Sequence, residues 1–284
     1  MTTTRQQTGT QSHSEAQEAQ DKNDAILKQR MEKIGRKLLV LSGKGGVGKS
    51  TVAVNLAVAL SRENRRVGLL DVDVHGPSVP TLLKLPAPCI HVDGGRFIPA
   101  QVNERLMVMS LGFMLPHAKD PVIWRGPRKY HAIRQFLQDV AWGDLDFLVI
   151  DCPPGTGDEP LSVAQMVGRP AAAIVVTTPQ RVAINDVRRC VTFCQSVALP
   201  LLGIIENMSG YVCPQCGRIS DLFASGGGES LAAEMQVPFL GRLPFDPSVV
   251  VSGDAGVPFV TSTADGEPAR RLAEIVKRIL GGAR

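Results

Sequence analysis

The segment GKGGVGKST, Gly43 to Thr51, stands between an apolar run, LLVLS, and a helix-like one, VAVNLAVAL. From Gly43 to Ser50 it fits the spacing G-x-x-x-x-G-K-[ST], in the strand-then-helix context that gives the spacing its meaning. The chemistry is phosphate binding. Gly43, Gly45, Gly46 and Gly48, with Val47 among them, let backbone N–H groups curl around an anion, and the dipole of the following helix adds to the same field. Lys49 is placed to reach the β and γ phosphates of a nucleoside triphosphate. The Ser50 hydroxyl is placed to ligate Mg²⁺, with Thr51 beside it on the first helical turn. Gripping a phosphate needs one lysine, yet this loop carries two, Lys44 as well as Lys49.

Two acidic stretches offer the rest of a nucleotide site. LLDVDVHGPS contains Asp71 and Asp73, and FLVIDCPPGTGD contains Asp151 before a glycine-rich turn. A carboxylate ending an apolar strand can hold the water shell of Mg²⁺, and a second can orient the water that attacks a γ-phosphate. Asp151 is read as the metal-side acid, acting through water. Asp73 is preferred to Asp71 as the catalytic carboxylate and a further Mg²⁺ contact, though either suits the cap of a turn. The Gly155 N–H is expected to meet the γ-phosphate and so to report whether it is present.

The second chemical signal is GYVCPQCGRIS, where Cys213 and Cys216 lie in a loop after a strand. Two thiolates spaced C-x-x-C can share one soft metal centre, but a zinc or a four-iron cluster asks for four ligands and the chain has no second such pair. Two copies related by a two-fold axis would supply four. A thioredoxin-type disulfide would want a helix straight after the first cysteine, which this context lacks. Metal against redox or structural use, and iron–sulfur against zinc, stay open on spacing alone. Cys190 and Cys194, four apart on a helix, are read as core packing, and Cys89 and Cys152 have no partner at ligand spacing. The histidines form no H-x-x-x-H pair.

The elements that must position these groups alternate. KLLVLS, RVGLLDVD, LMVMSLG, LDFLVIDCPP, AAAIVVTTP, LLGIIENM and PFLGRLP read as strands buried on both faces, and helical periodicity fills residues 50–62, 129–140, 181–196, 228–235 and 267–280. The expected architecture is α/β, a doubly wound and mostly parallel sheet, with ligands at the carboxyl ends of the strands. HVDGGRFIPAQVNERLMVMS breaks the rhythm and predicts a hairpin at one edge. Residues 1–24, rich in Gln, Ser and Thr, are expected to form a disordered polar tail, followed by one ATPase domain over 25–284 that starts with a helical lead-in through Leu27, Met31 and Ile34.

Thirty-one basic against 27 acidic residues, a net charge of +4, form no concentrated basic stripe, so nucleic acid is not an expected partner. No run is long and apolar enough to span a membrane, and stable membrane association is not expected. Six cysteines without a signal-peptide pattern suggest a reducing, cytoplasmic setting.

Taken together, KGGVGKST, DVDVHGPSVP, DCPPGTGDEPLSV, TTPQRVAINDV and ENMSGYVCPQCG resemble the Mrp/ApbC family of iron–sulfur cluster carriers, within the MinD/ParA/nitrogenase-iron-protein class of P-loop ATPases. The resemblance covers about residues 36 to 260. It implies an ATPase using ATP and Mg²⁺, with Lys44 as the residue that crosses a dimer interface to the partner's nucleotide. It implies adenine contacts from Asn207, Pro244 and Asp246, and includes PVIWRGP at Trp124 and Arg125, to which no role is attached. It implies a [4Fe–4S] cluster held by Cys213 and Cys216 between the two chains of a homodimer, or of a heterodimer with a close relative, and handed to apo iron–sulfur proteins. Two alternatives belong to the same class. One is a ParA/MinD-like positioning ATPase, for which Leu272, Ile275, Val276, Ile279 and Leu280 would form a surface-binding stripe; the other is a nitrogenase-iron-protein-like reductase, whose bridging cysteines are single rather than paired.

Overall fold

Leucine and β-branched runs with no polar alternation have no solvent face to offer, so they settle in the middle of a sheet covered on both sides. In the computed structural model, which describes residues 7–73, 76–86, 90–114, 126–213, 215–216, 218–221 and 225–281, they do so. In chain order the elements are α1 (Gln7–Glu32), β1 (Ile34–Ser42), α2 (Lys49–Arg62), β2 (Val67–Asp71), α3 (Val79–Leu82), β3 (His91–Asp93), β4 (Arg96–Ile98), β5 (Ala100–Asn103) and β6 (Leu106–Ser110). Then come α4 (Gly126–Asp139), β7 (Leu145–Asp151), α5 (Asp158–Met166), β8 (Ala171–Thr177), α6 (Arg181–Ser196) and β9 (Leu201–Glu206). The chain continues through β10 (Tyr211–Val212), β11 (Ile219–Ser220), α7 (Gly227–Glu234), β12 (Phe239–Arg242), α8 (Pro247–Asp254), α9 (Phe259–Ser262) and α10 (Glu267–Gly281).

Eight strands form the main sheet in the order β12-β9-β8-β1-β7-β2-β6-β5. All its pairings are parallel except β5 on β6, the hairpin expected at the edge; β3 and β4 form a separate antiparallel pair just before it. Leu38, Leu39, Val40 and Leu41 of β1 are buried, as are Ala173 to Val176 of β8, and one cluster of buried side chains runs from Leu27 to Ile279. In register, Val40 and Asp71 both lie beside Asp151 and Ser42 beside Val176, so the strands' carboxyl ends finish level. The order turns back on itself around β1, and the crevice at that end is where such sheets take ligands.

The polar segment before Asp24, expected to be disordered, is helical from Gln7 onward as part of α1. Glutamine, alanine, glutamate and lysine have good helix propensity, and the helix is anchored at its far end by buried Leu27 and Met31 and by an Arg134–Asp24 ion pair. The stripe on α10 takes the core-packing course rather than that of the surface-binding alternative: Leu272, Ile275, Val276 and Ile279 are buried and Leu280 is half-buried, with α10 packed on β12, α2 and α9. Each such side chain contributes about 1.5–3 kcal/mol to folding. Among the described residues no helix is long and apolar enough to cross a membrane. Cys89, Trp124 and Arg125 lie outside the described residues, as do residues 1–6 of the expected tail.

A buried lysine that sequence reading did not single out closes the opposite end of the sheet. Lys37 Nζ donates to the carbonyls of Met31 at 3.0 Å, Arg169 at 3.3 Å and Ile34 at 3.4 Å, joining the end of α1 to β1 and to the turn before β8. Burial lowers its pKa, against a smaller opposing pull from Glu32.

Candidate functional site

The loop from Ser42 to Lys49 leaves β1 and enters α2 through Gly48, whose φ of 81° lies in the left-handed region. A Cβ there would be strained, and it would also collide with the side-chain amide of Asn207. Lys49 is 6% exposed and turned inward. Its ammonium lies 2.5 Å from Asp151 Oδ1, 3.2 Å from Ser50 Oγ and 3.9 Å from Asp73 Oδ2. Burial pulls the lysine pKa down, but the carboxylates of Asp151 and Asp73 outweigh it and the net direction is upward. Lys44 differs: it is half-buried, and among the described residues its ammonium has no ion-pair partner.

The three acids separate. Asp71 is fully buried, receiving the Asp73 N–H at 3.0 Å and the Ser110 hydroxyl at 2.9 Å. Burial, then the charge of Asp151 beside it, raises its carboxyl to about 8. Asp73 is buried but slightly more exposed, with its Oδ2 3.9 Å from the Lys49 ammonium. Asp151 is fully buried and its pKa is raised by burial, with Lys49 opposing. Among the described residues its Oδ2 has no hydrogen-bond partner. A buried carboxylate oxygen with an open lone pair, beside a P-loop serine hydroxyl, is a donor set of the all-oxygen kind that Mg²⁺ takes. The residues present therefore fit that ion.

Gly155, at φ 94°, has its N–H engaged at the start of the loop, donating to Ser42 O at 2.8 Å. Contact with a γ-phosphate requires that bond to be exchanged. Asn207, directly after β9, donates from Nδ2 to Val47 O at 2.9 Å and from its backbone N–H to Thr177 O at 2.7 Å. It borders a cavity of about 210 Å³ together with Gly48, Thr51, Pro244 and Asp246. The structure thus brings together, beside the loop, the three residues expected to meet adenine. Asp246 also caps α8, accepting from Ser248 N at 2.8 Å.

Cys213 is half-buried and Cys216 exposed, both reduced, whereas Cys152, Cys190 and Cys194 are buried. The backbone N–H groups of Cys216 and Gln215, with the Cys216 thiol, hold the Cys213 pKa below its ordinary value, which favours the thiolate that binds metals. Burial pushes Cys190 and Cys194 up to about 12, and Cys152 higher still, so these are inert core thiols. Among the described residues no group of three or more His, Cys, Asp and Glu side chains could hold a metal ion.

Sequence reading passed over Glu206, which is fully buried at the end of β9 and accepts from Ser209 and from the N–H groups of Gly226 and Gly228. Its signal was an acid closing an apolar strand, the same signal that singled out Asp151.

Comparison with known proteins agrees with this geometry. Residues 33–280 match the family model described as the NUBPL iron-transfer P-loop NTPase. A cytosolic Fe–S cluster assembly factor NUBP2 homolog of Trichoplax adhaerens is 50% identical over 252 residues, covering 87% of this chain and 95% of its own. An iron–sulfur cluster carrier protein of Methanocaldococcus jannaschii is 46% identical over 257 residues, covering 90% of this chain and 88% of its own. Among solved structures, a nucleotide-binding protein of Archaeoglobus fulgidus in complex with ADP superposes with a TM-score of 0.73 at 38% identity, over 82% of this chain and 91% of its own. The cell division ATPase MinD of Pyrococcus furiosus superposes with a TM-score of 0.64 at 25% identity, over 87% of this chain and 99% of its own. With a matched P-loop, matched length and matched sheet, the chain belongs to the NUBPL iron-transfer family of P-loop NTPases.

Proposed function

We propose that this chain is an ATP-binding and ATP-hydrolysing carrier of iron–sulfur clusters, working as a homodimer or with a close relative, in the cytoplasm, as one ATPase unit over residues 25–284. The observation that carries the reading is the pairing, in one chain, of a complete phosphate loop with two unpaired thiols outside the core, Cys213 half-buried and Cys216 exposed. The names of the relatives, a cluster carrier and a cluster assembly factor, agree with it.

At the nucleotide, backbone N–H groups from Gly43 to Ser50 cradle the phosphates while Asn207, Pro244 and Asp246 take the base. Lys49 then exchanges Asp151 for the β and γ phosphate oxygens. Asp151 is left without its cation, and Ser50 with Asp73 and, through water, Asp151 would hold Mg²⁺. When bound, the ion would neutralise charge that builds on the phosphates. Asp73, 8% exposed where Asp71 and Asp151 are fully buried, is the group placed to orient the attacking water. Lys44 acts on the nucleotide of the partner chain, where a cation adds stabilisation that one copy lacks. The Gly155 N–H leaves Ser42 O for the γ-phosphate when that phosphate is present.

The cargo is a [4Fe–4S] cluster ligated by Cys213 and Cys216 of each of two chains. Two ligands per chain on an accessible loop make a cluster that is held yet exchangeable, which suits delivery to apo iron–sulfur proteins. Anaerobic reconstitution followed by iron and sulfide analysis tests this: about four irons per two chains are expected. Replacing both Cys213 and Cys216 by Ala should abolish loading and transfer to an apo-acceptor. Undiminished iron in that variant overturns the assignment.

A further inference from the structure

Glu206 and Asn207 are consecutive, and they hold different parts of the molecule. The Glu206 carboxylate accepts from the Ser209 hydroxyl at 2.5 Å, from Gly226 N at 2.9 Å and from Gly228 N, with Arg242 Nε 3.7 Å away. Ser209 and Gly226 are the two ends of the segment that carries Cys213 and Cys216. One buried carboxylate therefore ties the base of the thiol loop shut. A Cβ on Gly228 would stand 3.1 Å from Glu206 Oε2 and 3.1 Å from Thr177 Cγ2, so the N-terminus of α7 sits tight against that acid. The backbone adds three ties at the same place: Ser209 N to Leu243 O at 2.9 Å, Leu243 N to Glu206 O at 2.8 Å and Phe245 N to Gly210 O at 2.7 Å. These join the loop base to the turn bearing Pro244 and Asp246.

The next residue faces the phosphate loop. Asn207 Nδ2 holds Val47 O, and its amide packs where a Cβ on Gly48 would be. The second Nδ2 hydrogen and the Oδ1 oxygen are left for a base, so base binding loads the same side chain that holds Val47. A displacement of that side chain is passed through one peptide unit to a carboxylate with three donors fixed on it. Interiors packed this closely respond by shifting between discrete arrangements rather than by stretching.

We propose that Glu206 is the positioning residue that couples nucleotide occupancy to the geometry of the Cys213–Cys216 loop. This deepens the carrier reading and rests on its nucleotide site. Glu206 touches neither nucleotide nor cargo; it acts through Ser209, Gly226 and Gly228.

The test uses the full chain, without cluster, and measures the rate at which a maleimide modifies Cys213 and Cys216, resolved by peptide mass spectrometry, with no nucleotide, with Mg-ADP and with a non-hydrolysable ATP analogue plus Mg²⁺. In the wild type the rate should change by about fivefold between nucleotide states, a modest coupling for two linked sites. In Glu206→Gln that dependence should vanish while calorimetric affinity for Mg-ADP stays within about threefold of wild type. A carboxylate serving only the fold would alter the rate in every state and leave the ratio between states intact. Ser209→Ala removes one donor and should lower the ratio partway, which keeps the inference testable if Glu206→Gln fails to fold. The inference is overturned by an unchanged ratio in the variants, or by wild-type rates indifferent to a nucleotide that calorimetry shows to be bound. The carrier reading is judged separately, by iron loading.

Discussion

Replacing each lysine of the phosphate loop by methionine separates their tasks before any nucleotide is added. Lys49 lies 2.5 Å from a carboxylate that is fully buried, with a second 3.9 Å away. Removing it leaves Asp151 without a cation in a site closed to water, and breaking a buried pair in this way costs about 3–5 kcal/mol. For a domain of this size each kcal/mol moves the midpoint of thermal unfolding by about 2–4 °C, so Lys49→Met should unfold roughly 6–20 °C below wild type. Asp151 already has its pKa raised by burial, and loss of Lys49 removes the main opposing influence. An acid whose folded pKa is raised favours the folded state at low pH, and that advantage disappears as pH climbs through the folded value. The deficit of Lys49→Met should accordingly be larger at about pH 8 than at about pH 5.5, and Asp151→Asn in the same chain should recover part of it. Lys44 is half-buried and without an ion pair among the described residues, so Lys44→Met should change stability by no more than about 0.5 kcal/mol. With Mg-ADP at about 100 times its dissociation constant, wild type and Lys44→Met should each gain roughly 2.7 kcal/mol and Lys49→Met nothing. Circular dichroism melts at both pH values, with and without nucleotide, read all of this. Equal destabilisation by the two substitutions, or a Lys49→Met deficit that grows on acidification, would refute the reasoning.

Asp71 gives a pH dependence of its own. Its folded carboxyl is raised to about 8, so the nucleotide-free chain should lose stability as pH rises from the ordinary carboxylate range through about 8, and Asp71→Asn should flatten that slope and unfold later than wild type at the alkaline end. Chemical denaturation across that range checks it, and a wild-type chain that gains stability over the same window would contradict it. Gly48→Ala should retain the fold while losing about tenfold or more in Mg-ADP affinity, since its φ of 81° costs a side chain about 1–2 kcal/mol and the new methyl group displaces Asn207. Calorimetric affinity within twofold of wild type would show that the loop accommodates the methyl group elsewhere.

The sheet and the phosphate loop were legible because their signals are local. A run such as LLVLS has no polar alternation, and GKGGVGKST has glycines where positive φ is required. The order of strands around β1 follows from alternation of strand and helix together with the handedness of crossovers, so the convergence of Asp73, Asp151 and Lys49 was also within reach. What the sequence hid depends on partners far apart along the chain. Asp71 is held by Ser110 on the adjacent strand, and Glu206 by the N–H groups of Gly226 and Gly228 some twenty residues on. The apolar stripe of α10 reads alike whether it faces a core or a surface; only its packing against β12 and α2 decides. In α1, polar composition argued for disorder, while the helix runs on from Leu27 and Met31, which are the residues that meet the core.

On the proposed reading, Lys44 and the cysteine pair are chemical groups that one copy of this chain leaves without completion. The pocket around Lys49 already contains the cation, the acids and the hydroxyl that a nucleotide needs, so another cation five residues earlier adds nothing there. Placed against the nucleotide of a second copy it adds charge where hydrolysis develops it. Cys213 and Cys216 give two soft ligands where a cluster takes four. On the proposed reading a two-fold axis would meet both needs at once, since one rotation can bring each Lys44 to the other's phosphates and one thiol pair to the other. On the proposed reading, what joins them within each chain is the strand end at Glu206 and Asn207, one residue set on the thiol loop and the next on the phosphate loop. A dimer that reseats itself when ATP becomes ADP would then change the fit of all four thiolates together, and release of the cluster would depend on the nucleotide in both chains rather than on the affinity of either loop alone.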